Sequence, residues 1–170
     1  MSKTYKCYEC GGEMVGSVQP YVLDEGGLKV TLEDVEIRRC RSCGEDAVAI
    51  RKLAPLLRTI AAAVVTDPYR LGAAEVRFLR KLLGWQGTEL AQVLGVTKVS
   101  VSRWETSKAE ISSAAERALR FAVLLKLGRK LPVSAMKTIR KSKRPGRLAF
   151  RLGAAGKWTR VDDIATKQAS

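Results

Sequence analysis

The chain has 170 residues, 31 Lys and Arg against 17 Asp and Glu, and no histidine, giving a net charge of +14 and a pI near 10.0. That length suits one ordinary domain or two small ones, and the charge points to a polyanionic partner. Composition argues against acid–base catalysis, since the commonest general base is missing, and against a membrane span, since no apolar run approaches roughly 20 residues.

The N-terminus, MSKTYKCYEC, lacks the apolar segment of a secretory leader, so a cytoplasmic protein is expected. Its four cysteines fall in two Cys-x-x-Cys pairs, Cys7/Cys10 and Cys40/Cys43, each followed by a glycine, Gly11 or Gly44, that relieves a tight turn. A redox dithiol and disulfides are the alternatives. A redox motif usually comes singly beside a βαβ pattern, which is absent here, and a basic cytosolic chain seldom holds structural disulfides. The spacing therefore predicts one structural zinc per chain, held by four thiolates with no position open to water or substrate. It does not separate zinc from iron.

Between the pairs, residues 14–23 and 28–38 alternate apolar and polar side chains around the turn cluster Asp24-Glu25-Gly26-Gly27. A β-hairpin is expected there, one arm leaving Cys10 and the other returning to Cys40. A third strand is expected at Ala47–Ile50. Residues 51–66 change to helical spacing through Leu53, Leu56, Leu57, Ile60, Ala61 and Val64, and Asp67-Pro68 ends that helix. This segment reads as a spacer.

Residues 73–127 read as short helices closed by Gly84 and Gly95, followed by a longer one whose apolar positions include Ala115, Leu119, Ala122, Val123 and Leu127. Within them, Thr88–Glu105 carries the sharpest signal. Ala91 and Gly95 allow two helices to cross closely at a tight turn. Thr97 is a ready N-cap for the next helix, while Val101 and Trp104 anchor its back. Lys98, Val99, Ser100, Ser102 and Arg103 are then left facing outward, a set that suits the major groove, and Thr97 and Lys108 are further candidate DNA contacts.

Beyond Gly128 the texture changes. Residues 1–66 hold nine basic and nine acidic residues, 67–128 ten and six, and 129–170 twelve and two. The run Lys137, Arg140, Lys141, Lys143, Arg144 and Arg147 is expected either to lie along a phosphate backbone or to form a disordered solubilising tail. A lone hairpin over Leu148–Val161, turning at Gly153–Gly156, is also expected.

The pattern from Leu90 to Glu105, LAQVLGVTKVSVSRWE, resembles the Xre/Cro-type helix-turn-helix family. Together with CYECGGEM, the hairpin, VEIRRCRSCGE and the spacer, the chain over about residues 5–127 resembles MqsA-type antitoxins, the YgiT-type zinc-finger and helix-turn-helix family. The resemblance implies a zinc-stabilised N-terminal module that engages a ribonuclease-type toxin, and a C-terminal module that dimerises on a palindromic operator. It places Arg103 at a base-reading position and Val99 where the best-known member carries an asparagine. Where the family usually has a Ser/Thr cap and a phosphate-gripping Gln, this chain has Gln86 and Gly87.

The expected architecture is α+β, with a zinc-bound β module over 1–50, a spacer helix and linker over 51–70, a helix-turn-helix domain over 71–128 and a basic tail over 129–170. Ala118, Leu119, Ala122 and Leu125 are the candidates for a homodimer interface. The expected function is that of an antitoxin, a non-enzymatic repressor of its own operon that associates with the nucleoid when bound to its operator. The alternative is a stand-alone zinc-containing repressor.

Overall fold

The computed structural model describes residues 5–130 and 146–161, together with 139, 140, 142 and 144. It is α+β. Among the described residues, six strands form one mixed sheet, and five helices lie between the fourth and fifth strands in sequence. Among the described residues, no helix is long and apolar enough to cross a membrane.

Contacts divide the chain into two units, one drawn from residues within 1–23, 30–53 and 148–170, the other from 24–29 and 54–147. In the first, β1 (Tyr5–Lys6) pairs antiparallel with the start of β2 (Glu13–Glu25), which runs beside β3 (Leu28–Cys40). The second half of β3 pairs antiparallel with β4 (Asp46–Ala49), from Glu36 opposite Ala49 to Arg39 opposite Asp46. Its first half pairs in parallel with β5 (Leu148–Leu152), Val30 opposite Leu148 and Leu32 opposite Phe150. Both of these pairs join buried side chains.

A single residue separates the two halves of β3. Asp34 sits at φ 57°, and the buried positions shift there from Val30 and Leu32 to Val35. One residue in that conformation offsets the strand's alternation of faces. Arg151 on β5 secures the offset, reaching Glu33 at 2.5 Å and Asp34 at 2.8 Å.

The C-terminal segment departs from the expected tail. β5 and β6 (Trp158–Arg160) form the hairpin that the glycines suggest, closed by Gly156 N–H donating to the Gly153 carbonyl. The hairpin is not isolated, however. It extends the sheet of the first unit, with Trp158 Nε1 donating to the Arg51 carbonyl and Lys52 Nζ to that of Gly156. Residues 148–160 are therefore not part of a free basic tail, because their apolar face, Leu148, Phe150 and Trp158, is buried.

In the second unit, α1 (Leu53–Thr66) also departs from expectation. It is not a spacer: Leu56, Ile60, Ala61, Ala62, Val64 and Val65 are all buried, as a core helix requires. Next come α2 (Ala73–Leu83), α3 (Gly87–Leu94), α4 (Lys98–Glu105) and α5 (Ser113–Lys126). Arg120 and Glu116, both 1% exposed, lie among their apolar neighbours. The Arg120 guanidinium donates to Glu116 Oε1 at 2.8 Å and to the carbonyls of Val65, Asp67 and Tyr69, while Glu116 Oε1 also accepts the Leu71 N–H.

Part of the basic run is tied into this unit. Arg144, its side chain only 9% exposed, pairs with Asp67 at 2.6 Å and Glu75 at 3.2 Å, so it is not free to contact phosphate. The Arg140 N–H donates to the Pro68 carbonyl, and the Arg140 carbonyl accepts from the Arg70 N–H. Lys137, Lys141 and Lys143 lie outside the described residues.

Replacing Arg120 with Ala should destabilise the helical unit by about 3–5 kcal/mol, because it strands a buried carboxylate and several carbonyls. Urea unfolding followed by helical circular dichroism measures this. A loss under about 1 kcal/mol, the range of a surface pair, would show that the buried pair carries no such weight.

Candidate metal centre and nucleic-acid interface

The metal centre is built from two matching turns. In the first, Cys7 N–H donates to the Gly12 carbonyl and Gly11 N–H to that of Cys7. In the second, Cys40 N–H donates to Glu45 and Gly44 N–H to Cys40. Gly11 and Gly44 take φ of 72° and 77°, a conformation that costs glycine nothing and other residues strain. Arg41 N–H donates to the Glu13 carbonyl, stitching one turn to the strand that leaves the other.

All four sulfurs converge, every pair within 4.8 Å. Cys10 lies 3.4 Å from both Cys40 and Cys43, and Cys7 lies 3.6 Å from Cys43. A tetrahedral ion bound at about 2.3 Å from each thiolate needs sulfurs about 3.8 Å apart, so the donor set fits. Cys7 and Cys40 are buried beside Met14, while Cys10 and Cys43 face solvent. The turns leave no room to spare: a Cβ on Gly12 would come within 2.6 Å of Ser42 Oγ and 3.1 Å of Cys40 Sγ.

Electrostatics also favour a cation here. The Cys43 N–H, aided by that of Ser42, lowers Cys40 to about 6, so one thiolate forms readily. At Cys43 the Glu45 N–H favours ionisation, but the Cys10 and Cys40 sulfurs outweigh it and push the thiol up to about 12. At Cys10 the Gly12 N–H likewise acts downward, yet the Cys40 sulfur contributes to a net rise. Several negative sulfurs this close repel one another unless a positive ion lies between them. Filled by four thiolates, such a site supports the fold and leaves no open coordination position.

The candidate nucleic-acid interface is built on α4. Thr97 caps its start, Oγ1 accepting the Ser100 N–H at 3.1 Å. Val101 and Trp104 are buried, so the opposite face is fixed outward. Lys98, Val99, Ser102 and Arg103 lie on it, and with Thr106 and Lys108 they line a shallow recess of about 400 Å³. Val99 is 66% exposed. Lys108 reaches this face because its N–H donates to the Arg103 carbonyl, folding the chain back just after the helix. Ser100 is half-buried, its hydroxyl 3.0 Å from that of Thr97. It belongs to the cap, and its side chain is less available than those of Ser102 and Arg103.

Two positioning residues were not visible in the sequence pattern. Arg80 on α2 grips the Glu105 carboxylate through both Nε (2.6 Å) and Nη2 (3.0 Å) and donates to the Trp85 carbonyl. This holds the end of α4 against α2. The two residues lie 25 positions apart, so no local periodicity signals them. At the start of α3, the Glu89 carboxylate accepts the Gln86 N–H, the N3-to-N-cap half of a capping box.

The candidate interface residues of α5 divide. Leu119 is fully buried in the unit's own core and cannot also face a second copy. Ala118 and Leu125 are exposed and Ala122 is half-buried; with Phe121, 44% exposed, they make an outward stripe at helical spacing.

Residues 76–125 match a protein-family model described as HTH_3, helix-turn-helix. The match begins within α2 and ends within α5, so it encloses the Thr97 cap, the outward face of α4 and the Arg80–Glu105 pair. The chain thus carries an Xre/Cro-type helix-turn-helix domain, the mark of a DNA-binding transcription regulator. No curated protein matches the chain.

Two outcomes follow. Chelation should unfold the strand-built unit and leave the helices of the second intact, as far-ultraviolet circular dichroism would show; a protein indifferent to chelation, with no metal by elemental analysis, contradicts the site. Arg103→Ala should cost about 1–3 kcal/mol of binding to specific DNA, read by gel-shift titration, and unchanged affinity would place base recognition elsewhere.

Proposed function

We propose that the protein is the antitoxin of a toxin–antitoxin pair. In this reading its four-cysteine module holds one structural zinc and engages a ribonuclease-type toxin, and its helix-turn-helix domain represses the protein's own operon. What carries the reading is the union of a four-thiolate centre with an α4-type DNA-reading face in one chain, in the order that the antitoxin resemblance calls for.

Features of each unit support it. On the first, Tyr8 (74% exposed), Val15, Val18, Val22 and Val48 leave apolar surface open on a small module, as a protein-binding surface would. On the second, one α4 reads one half-site, so a palindromic operator calls for two copies with their helices about 34 Å apart. The outward stripe of Ala118, Phe121, Ala122 and Leu125 suits that homodimer. The work is non-enzymatic and cytoplasmic, on the nucleoid when operator is bound.

The family match alone supports a narrower reading, a stand-alone repressor whose metal module binds something else. Expressing the product of the adjacent reading frame separates the two. Under the antitoxin reading that product arrests growth, co-expression of this protein restores growth, and the two co-purify. A harmless neighbour, with a reporter on the protein's own promoter still repressed, would leave the stand-alone repressor.

A further inference from the structure

The loop at Asp24–Lys29 belongs by its contacts to the helical unit. Its turn, Gly26-Gly27, has φ of 66° and 94°, and the Gly27 N–H donates to Asp24 Oδ1 at 2.7 Å. The Gly26 carbonyl is taken by α2, where Arg77 Nη1 donates to it at 3.2 Å. The other terminal nitrogen of the same guanidinium, Nη2, donates to the carbonyl of Glu105, the last residue of α4. One planar side chain thus joins the loop to the end of the helix that carries Arg103.

Two arginines of α2 therefore hold that end. Arg80 grips the Glu105 carboxylate, and Arg77 grips its backbone. The last carbonyls of a helix are its negative pole, so a half-buried guanidinium is well placed there. Lys108 hangs from the same turn through its bond to the Arg103 carbonyl. An ammonium would replace Arg77 poorly, because it lacks two donors held apart in one rigid plane.

We propose that Arg77 is a positioning residue for DNA recognition: by bridging the Gly26 and Glu105 carbonyls it makes the Asp24–Lys29 loop a brace for the recognition helix. The proposal rests on the DNA-reading role of α4 and is independent of any toxin.

The test uses the full chain and a duplex recovered with it by in vitro selection, against a scrambled duplex of equal length, across a salt series. Arg77→Ala should weaken binding to the selected duplex about tenfold, the scale of one charge-assisted hydrogen bond, and leave the scrambled duplex unaffected. The slope of log affinity against log salt should not change, because no phosphate contact is lost. Gly27→Val, a branched side chain at φ 94°, displaces the loop and should reproduce the loss. The double variant should be no weaker than either single one, and Arg77→Lys should fail to restore full affinity.

A slope shallower by about one would make Arg77 a phosphate contact and overturn the proposal. So would an equal loss on both duplexes, strict additivity of the two changes, or no loss at all. If Arg77→Ala does not fold, Arg77→Lys and Gly27→Val carry the same comparison. Arg103→Ala is the control: if it too leaves selected binding intact, the DNA-reading role of α4 is wrong and the brace falls with it.

Discussion

The helical unit depends on how one buried guanidinium is satisfied. The last turn of α1 contains no basic residue, and its final carbonyls have no partner within the helix. Arg120, from α5, supplies the missing donors. It binds the Val65, Asp67 and Tyr69 carbonyls on one side and Glu116 on the other. Glu116 in turn takes the Leu71 N–H, immediately before the Gly72 cap of α2. The end of α1, the connection after it and the entry to α2 are thus fixed by one pair. A buried ion pair is weak evidence for net stability, but removing one partner strands the charge of the other. The angle at which α2 begins sets where Arg77 and Arg80 stand, and these hold the end of α4. In that sense the outward face of α4 is aimed from α5.

The first unit answers to a different constraint. It is small and strand-built, and a unit of that size draws only modest stability from core packing. Four converging thiols would repel one another as thiolates, so an ion that fits them would also add stability to the unit. The C-terminal hairpin adds to this at the far half of β3, beyond the offset at Asp34, where Leu148 and Phe150 meet Val30 and Leu32. One long strand thus serves the metal turns at one end and a parallel partner at the other.

What the sequence made legible were features that act over short spans. The Cys-x-x-Cys turns, the hairpin around Gly26-Gly27, the glycines closing α2 and α3 and the Thr97 cap all follow from local chemistry, and each is found where the spacing puts it. The outward positions Lys98, Val99, Ser102 and Arg103 of α4 follow from two anchors, Val101 and Trp104, because helical geometry fixes the remaining faces, whereas Ser100 turns to the Thr97 cap. What stayed hidden were pairings between distant positions. Val30 and Leu148 lie at opposite ends of the chain, and parallel pairing leaves no turn signal between its strands. α1 read as a spacer because its apolar stripe carries no mark of which unit buries it. Arg144 belongs to a basic run expected to meet phosphate or to lie in a disordered tail, yet Asp67 and Glu75 meet it in the folded unit. Leu119 sits on the same helix as Ala118 and Leu125, and only the packing shows that it turns inward.

Hydrogen exchange with and without a strong chelator tests this division of labour most directly. If the metal supports the first unit and the Arg120 pair the second, chelation should expose the amides of β1, β3 from Val30 onward, β4, β5 and β6 together. Those of α2 to α5 should keep their protection. Protection that survives chelation in β5 and β6 while β4 loses it would contradict a single metal-supported unit. Loss of protection across α4 and α5 at the same chelator concentration would contradict the independent support of the DNA-reading helices.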